Sequence, residues 1–224
     1  MIAPVRPALV CILCAIALAG CGNAPDRQVT LADLVTAVGG GRAPQGGADA
    51  RDAATEAARA LAAGDAPVIL LSLPDFGIAT ALRRIETNGP YATFGSADRR
   101  SVTFRTGMLS ATRGLGHDLM SADLAGSLAL VQARRAGTAR RVHRYLDGDN
   151  QVTSVEFSCR VTPGAAGRVT GGEIDAPTRV VEEVCTSPGA TFRNTYQVDG
   201  SGRILKSRQF IGTRNGSMVV QVLR

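Results

Sequence analysis

The chain is 224 residues long and carries a formal net charge of +6, with 45% hydrophobic residues, two histidines and five cysteines. One hydrophobic core fits that length, and two full domains do not. The basic side is nearly all arginine, with Lys206 the single lysine. Arginine forks suit phosphate and carboxylate, although an excess of Arg and Ala is also the mark of a GC-rich genome. The absence of tryptophan, with three tyrosines and six phenylalanines, argues against a groove that stacks sugars on aromatic rings.

Arg6 is the sole charge before an apolar run that extends from Ala8 to Gly20. A basic start, a short apolar core and small residues at the end make a secretory leader, and the core falls short of the ~20 apolar residues of a membrane span. The run closes as Leu18-Ala19-Gly20-Cys21. Small residues before a cysteine resemble the bacterial lipobox, in which the thiol takes a diacylglycerol and cleavage leaves Cys21 as the new N-terminus. The expectation is a protein held to a membrane by acyl chains, which anchor without spanning. Gly22 follows, and by resemblance to enterobacterial lipoproteins the lack of Asp there points to the periplasmic face of the outer membrane. Nucleic acid is not an expected partner in that compartment. Cleavage removes Cys11 and Cys14, so their CxxC spacing is neither a redox pair nor half a zinc site. Cys159 and Cys185 remain, and in an oxidising compartment they are expected to form a disulfide, worth roughly 3 kcal/mol in the chain-entropy model.

After a polar tether from Gly22 to about Gln28, Thr30–Val38 has the pattern of a brief helix, with Thr30 at the cap and Asp33 where a capping box places its acid. Gly39–Ala50 is Gly-rich and reads as a mobile linker. Asp52–Ala63 predicts a helix by propensity, stopped by Gly64 and Pro67, with an Ala-rich face that needs a surface to lie on. The organisation is a leader (1–20), a tether and linker (21–50) and a single β-rich domain (51–224).

Val68–Leu73 is an apolar run between prolines and reads as a buried strand. Asn88-Gly89-Pro90 turns a hairpin between strands Ala79–Thr87 and Tyr91–Gly95. Strands Ser101–Thr106 and Met108–Thr112 follow. Arg113–Asp123 interrupts the strands, and Ser121 or Asp123 is placed to cap a helix from about Ala122 to Arg135. Strands resume at Arg140–Leu146 and at Val152–Val161, where Val155, Phe157, Cys159 and Val161 share one face. A loop at Thr162–Gly167 precedes Arg168–Ile174, Arg179–Thr186, Thr191–Val198, Arg203–Ile211 and Met218–Leu223. Short strands so punctuated predict a mainly β fold, an antiparallel meander forming a barrel or sandwich, with one or two N-terminal helices and one helix inserted mid-chain.

The segment MLSATRGLGHDLMSAD (Met108–Asp123), together with the lipobox and ARRVHRYLDG (Ala139–Gly148), resembles the YjbF/GfcB-type lipoproteins, encoded with exopolysaccharide and group 4 capsule export components. The similarity covers about residues 65 to 224, with RGLGHDLMSAD its specific part. Relatives often carry tryptophan in the strand after the first hairpin, where this chain has Phe94. The resemblance implies a β-rich accessory lipoprotein, tethered to the outer membrane, that assists export or assembly of extracellular polysaccharide. Its implied partners are the polysaccharide-export proteins of the envelope, and it supplies no catalytic residues.

Gly114-Leu115-Gly116 is not a nucleotide fingerprint, since the third glycine position holds Leu119 and no parallel βαβ unit surrounds it. His117 and Asp118, with Arg113 and Asp123 nearby in sequence, are the residues from which an acid/base pair would be built. An extracytoplasmic hydrolase acting on polysaccharide or envelope substrate is therefore the alternative function, although catalysis also needs a nucleophile or metal. In the competing structural reading Asp118 caps backbone amides while Leu119 and Met120 plug one end of the barrel. On the strand Arg140–Leu146, Arg141, His143 and Tyr145 share a face. Neither face is fully apolar, which suits an exposed or edge strand and makes Arg141 and His143 candidates for touching anionic polysaccharide. A third class is a lipid or glycan carrier with a barrel cavity, which a solid interior would exclude. No catalytic residue, metal or cofactor is assigned.

Overall fold

A computed structural model of the chain describes residues 47–224. The leader, Cys21 and the expected helix Thr30–Val38 lie outside the described residues. The first element is helix α1 (Gly47–Ala62), which begins inside the Gly-rich stretch expected to be a linker. Twelve strands follow: β1 (Val68–Leu73), β2 (Ile78–Asn88), β3 (Tyr91–Gly95), β4 (Ser101–Arg105), β5 (Met108–Arg113), β6 (Leu119–Asp123), β7 (Gly137–Leu146), β8 (Val152–Gly171), β9 (Ile174–Ser187), β10 (Ala190–Asp199), β11 (Ile204–Gly212) and β12 (Gly216–Val222). Helix α2 (Ala125–Gln132) lies between β6 and β7.

The strands form one antiparallel sheet in the order β5-β4-β3-β2-β1-β12-β11-β10-β9-β8-β7-β6. Every sheet neighbour is a chain neighbour except at β1–β12, where the first strand meets the last. The two strands left at the ends, β5 and β6, are consecutive in the chain, so the sheet curls into a nearly closed barrel with one seam. Closure removes the long unpaired edges that an open meander would present.

Alternation decides what lies inside. Ile69, Leu71 and Leu73 of β1 join Leu82, Phe94, Val102, Phe104, Leu109, Leu119, Ile211, Met218 and Val220 in one buried cluster. Val68 points the other way and, with Ala81 and Leu223, receives Ala57 of α1. The alanines allow close approach of helix and strand. Glu56 Oε2 accepts from the Ala81 N–H at 3.0 Å and the Thr80 hydroxyl at 2.9 Å, satisfying β2 where the short β3 does not reach it.

Three expectations are corrected. Residues 119–123 form β6, paired with β7; the alternation of LMSAD is that of a strand, too short to outweigh the cap-like Ser121 and Asp123. The helix accordingly starts at Ala125 behind Leu124, with no side-chain cap. The expected loop Thr162–Gly167 is an irregularity between Pro163 and Ala166 inside the twenty-residue β8. The tip of the β8–β9 hairpin folds onto the chain end, with Glu173 N–H donating to Leu223 O at 2.8 Å. Gly172 permits this approach: its φ is +60°, and a Cβ there would lie 2.5 Å from the same oxygen.

Candidate functional site

The segment from Thr112 to Met120 closes the barrel seam. The Asp118 carboxylate accepts from the Thr112 hydroxyl at 2.8 Å and from the N–H groups of Gly114 and Leu115 at 2.8 and 3.1 Å. Thr112 Oγ1 in turn accepts from Leu119 N–H at 3.0 Å. The Arg113 guanidinium donates to the carbonyls of Thr112, Leu119 and Met120, so its fork bridges β5 and β6 where no backbone ladder does. Gly114, at φ +82°, turns the chain back on itself. His117 is directed elsewhere: its Nε2 lies 3.0 Å from Arg214 Nη1, and its carbonyl accepts from Asn215 Nδ2 at 2.7 Å. The loop is thus pinned to the β11–β12 turn. His117 and Asp118 do not form a dyad, and Asp123 stands exposed at the end of β6, near Arg140.

Arg141 and His143 require a correction. They share a face as alternation demands, but β7 pairs on both sides and that face is the interior. Arg141 is 1% exposed and His143 0%, so neither touches a polymer on the surface. Arg141 Nη1 donates to Glu183 Oε2 at 2.7 Å, and the same oxygen accepts from Tyr196 Oη at 2.8 Å and Asn194 Nδ2 at 2.9 Å. Burial pulls the Glu183 carboxyl upward, but the Arg141 charge, together with the hydrogen bonds from Asn194 and Tyr196, outweighs it and holds the group ionised. Asn194 Oδ1 also accepts from Phe210 N–H at 2.7 Å, joining β10 to β11 next to their paired stretch.

His143 lies among Phe157, Phe192 and Phe210, its ring 5.2 to 6.5 Å from theirs. Tyr145 Oη donates to Ile211 O at 2.7 Å, so its contact with His143 Nδ1 at 3.1 Å needs the imidazole proton on Nδ1. Desolvation first, then the Arg141 charge, pushes the His143 pKa down to about 3. A neutral, unexposed imidazole is a packing residue.

The expected disulfide is present: Cys159 and Cys185 stand directly opposite each other on β8 and β9. Their sulfurs and Glu183 lie within 4.8 Å of one another, but the S–S bond removes the thiolates a metal would need. Sequence reasoning missed Glu183, Asn194 and Tyr196. A signal existed: alternation places Glu183 on the face of Val181 and Cys185, where a carboxylate demands a buried cation.

The interior is not solid. A cavity of about 230 Å³ opens at one end and another of about 280 Å³ at the opposite end, where Leu115 of the seam loop contributes to the wall.

Residues 30–223 match the model of a family described as group 4 capsule polysaccharide lipoprotein GfcB, YjbF. The chain belongs to the YjbF family. No curated protein matches it. In fold it is similar to the hypothetical lipoprotein YmcC of Escherichia coli K12, with a TM-score of 0.66 and 18% identity over 89% of this chain and 98% of that one. The RGLGHD segment that carries the resemblance to the YjbF family in sequence is, in the structure, the barrel's seam.

Proposed function

We propose that this YjbF-family lipoprotein is a non-enzymatic accessory factor for export or assembly of capsular or extracellular polysaccharide, held through acylated Cys21 at the periplasmic face of the outer membrane. The observation that carries the proposal is the family match, which spans the whole barrel and ties the chain to capsule polysaccharide. The geometry supports the non-catalytic part: Asp118 spends its oxygens on Thr112, Gly114 and Leu115, and His117 faces Arg214. The partners are then envelope proteins of polysaccharide export. With Arg141 and His143 buried, any contact with anionic polymer falls to outward-facing arginines.

The test compares polysaccharide at the cell surface and in the periplasm with and without the gene. Loss of surface polymer, with material trapped in the periplasm, restored by wild type but not by Cys21→Ala, is the expected result. Unchanged surface polymer of unchanged length overturns the proposal.

A further inference from the structure

The strands of the barrel are not held alike. Among the described residues eleven neighbouring strand pairs carry a backbone ladder, and β5–β6 does not. Side chains stand in for it. Gln209, 1% exposed, reaches inward from β11. Its Oε1 accepts from Leu109 N–H at 2.7 Å, and its Nε2 donates to Gly107 O at 3.0 Å. Nearer the seam loop Thr112 Oγ1 takes the Leu119 N–H, and the Arg113 fork reaches the carbonyls of Leu119 and Met120, both at 3.3 Å. Leu109 and Leu119 are each 0% exposed, so their amides meet water only when the strands part.

The strands on the β5 side of the seam are also loosely seated. β3, β4 and β5 have five, five and six residues. The leaf they form joins β2 only over Arg83–Asn88, with a register shift between Arg84 and Glu86, and it carries another between Thr103 and Phe104. Both cavities lie against this leaf. Phe94 and Phe104 wall the one of about 230 Å³, and Ser101 and Val102 wall the one of about 280 Å³. A wall atom that faces a void has no packing partner there. A segment with short ladders, few packed neighbours and side-chain ties opens locally at a free energy below that of global unfolding. β8 and β9 are the opposite case, paired from Ser158 to Gly171 with a single shift and joined by the disulfide.

We propose that β5 and β6 part reversibly in the folded protein, so that the barrel opens sideways at its seam toward the two cavities. The inference is independent of the polysaccharide role and survives its failure.

The test is native-state amide hydrogen exchange, read residue by residue by NMR on the full chain exported with Cys21→Ala, at urea concentrations below the unfolding transition. After correction for intrinsic rates, the Leu109 and Leu119 amides are expected to exchange about 100-fold faster than those of Glu183 and Cys185, which lie in β9 with ladders on both sides. Their rates should not depend on urea, because a local opening exposes little surface. Arg113→Gln should speed Leu119 by about tenfold, the scale of a lost hydrogen bond from a charged donor. An amide that frays without parting of the strands would not respond to that change. Protection of Leu109 and Leu119 equal to that of Glu183 and Cys185, exchange that rises with urea as theirs does, or a Leu119 rate untouched by Arg113→Gln each overturns the proposal. If Arg113→Gln does not fold, the urea series on the Cys21→Ala chain decides alone.

Discussion

Around β1–β4 and β12 the interior is built mainly from aliphatic and aromatic side chains, Ile69, Leu71, Leu82, Phe94, Val102, Phe104 and Val220 among them, and space remains at both ends. Around β7–β10 an ion pair with its hydrogen-bond partners, a histidine held among phenylalanines and a disulfide fill the same barrel. Helix α2 covers that half, with Leu124, Leu128 and Val131 packed against Val161, Val181 and Tyr196. Hydrophobic burial is non-directional and scales with the apolar surface removed from water. Buried charge is directional, and every donor must meet its acceptor. The first half accordingly keeps open space at both ends, while the second is filled by polar groups whose partners lie on several strands.

The largest way to break this contrast is Arg141→Met, which leaves the Glu183 carboxylate buried with no cation. Denaturant unfolding should show a loss of about 3–5 kcal/mol, and pairing it with Glu183→Leu should recover most of that, because an apolar pair of similar volume avoids the desolvation cost. Recovery would mean that the polar half gains specificity more than stability.

Replacing Cys159 and Cys185 with serine should cost roughly 3 kcal/mol, from the freed loop of the unfolded chain. The same loss should follow when the wild type is unfolded in reductant. A larger loss in the variant than in the reduced wild type would locate part of the effect in serine hydroxyls buried beside Phe157 and Phe192.

The third effect is pH-dependent and vanishes at neutral pH. His143 has a folded pKa of about 3 against an ordinary 6.5, so below pH 6.5 the unfolded chain binds a proton that the folded one refuses. Its stabilising contribution is complete above that pH and is lost on acidification toward pH 3, at about 1.4 kcal/mol per pH unit. His143→Phe fits the aromatic surroundings and should flatten that slope in urea melts between pH 6.5 and 4. An unchanged slope would assign acid sensitivity to the carboxylates, Glu183 first.

Period-two alternation made the strands legible from local sequence, and glycine and asparagine turns set their limits; ten of the twelve lie close to where those signals place them. It misled at β6, where five residues carry too little pattern against two helix-cap residues. It could not say which face of β7 is inside, because Arg141, His143 and Tyr145 read as polar until Glu183 and Ile211, on strands distant in sequence, supply their partners. Asp118 was legible as either a cap or a base, and its hydrogen bonds from Thr112, Gly114 and Leu115, with His117 turned to Arg214, settled the geometry.

By itself the sequence determined the β meander, the pairing of Cys159 with Cys185 and the likeness to YjbF lipoproteins, since each rests on local periodicity, on cysteine count or on one contiguous motif. Only the tertiary structure decided that the meander closes on itself, that RGLGHD is the clasp of its seam, and that Arg141 is buried against Glu183. Those facts depend on which strands meet across the barrel, and a side chain's charge costs or stabilises only according to what faces it there.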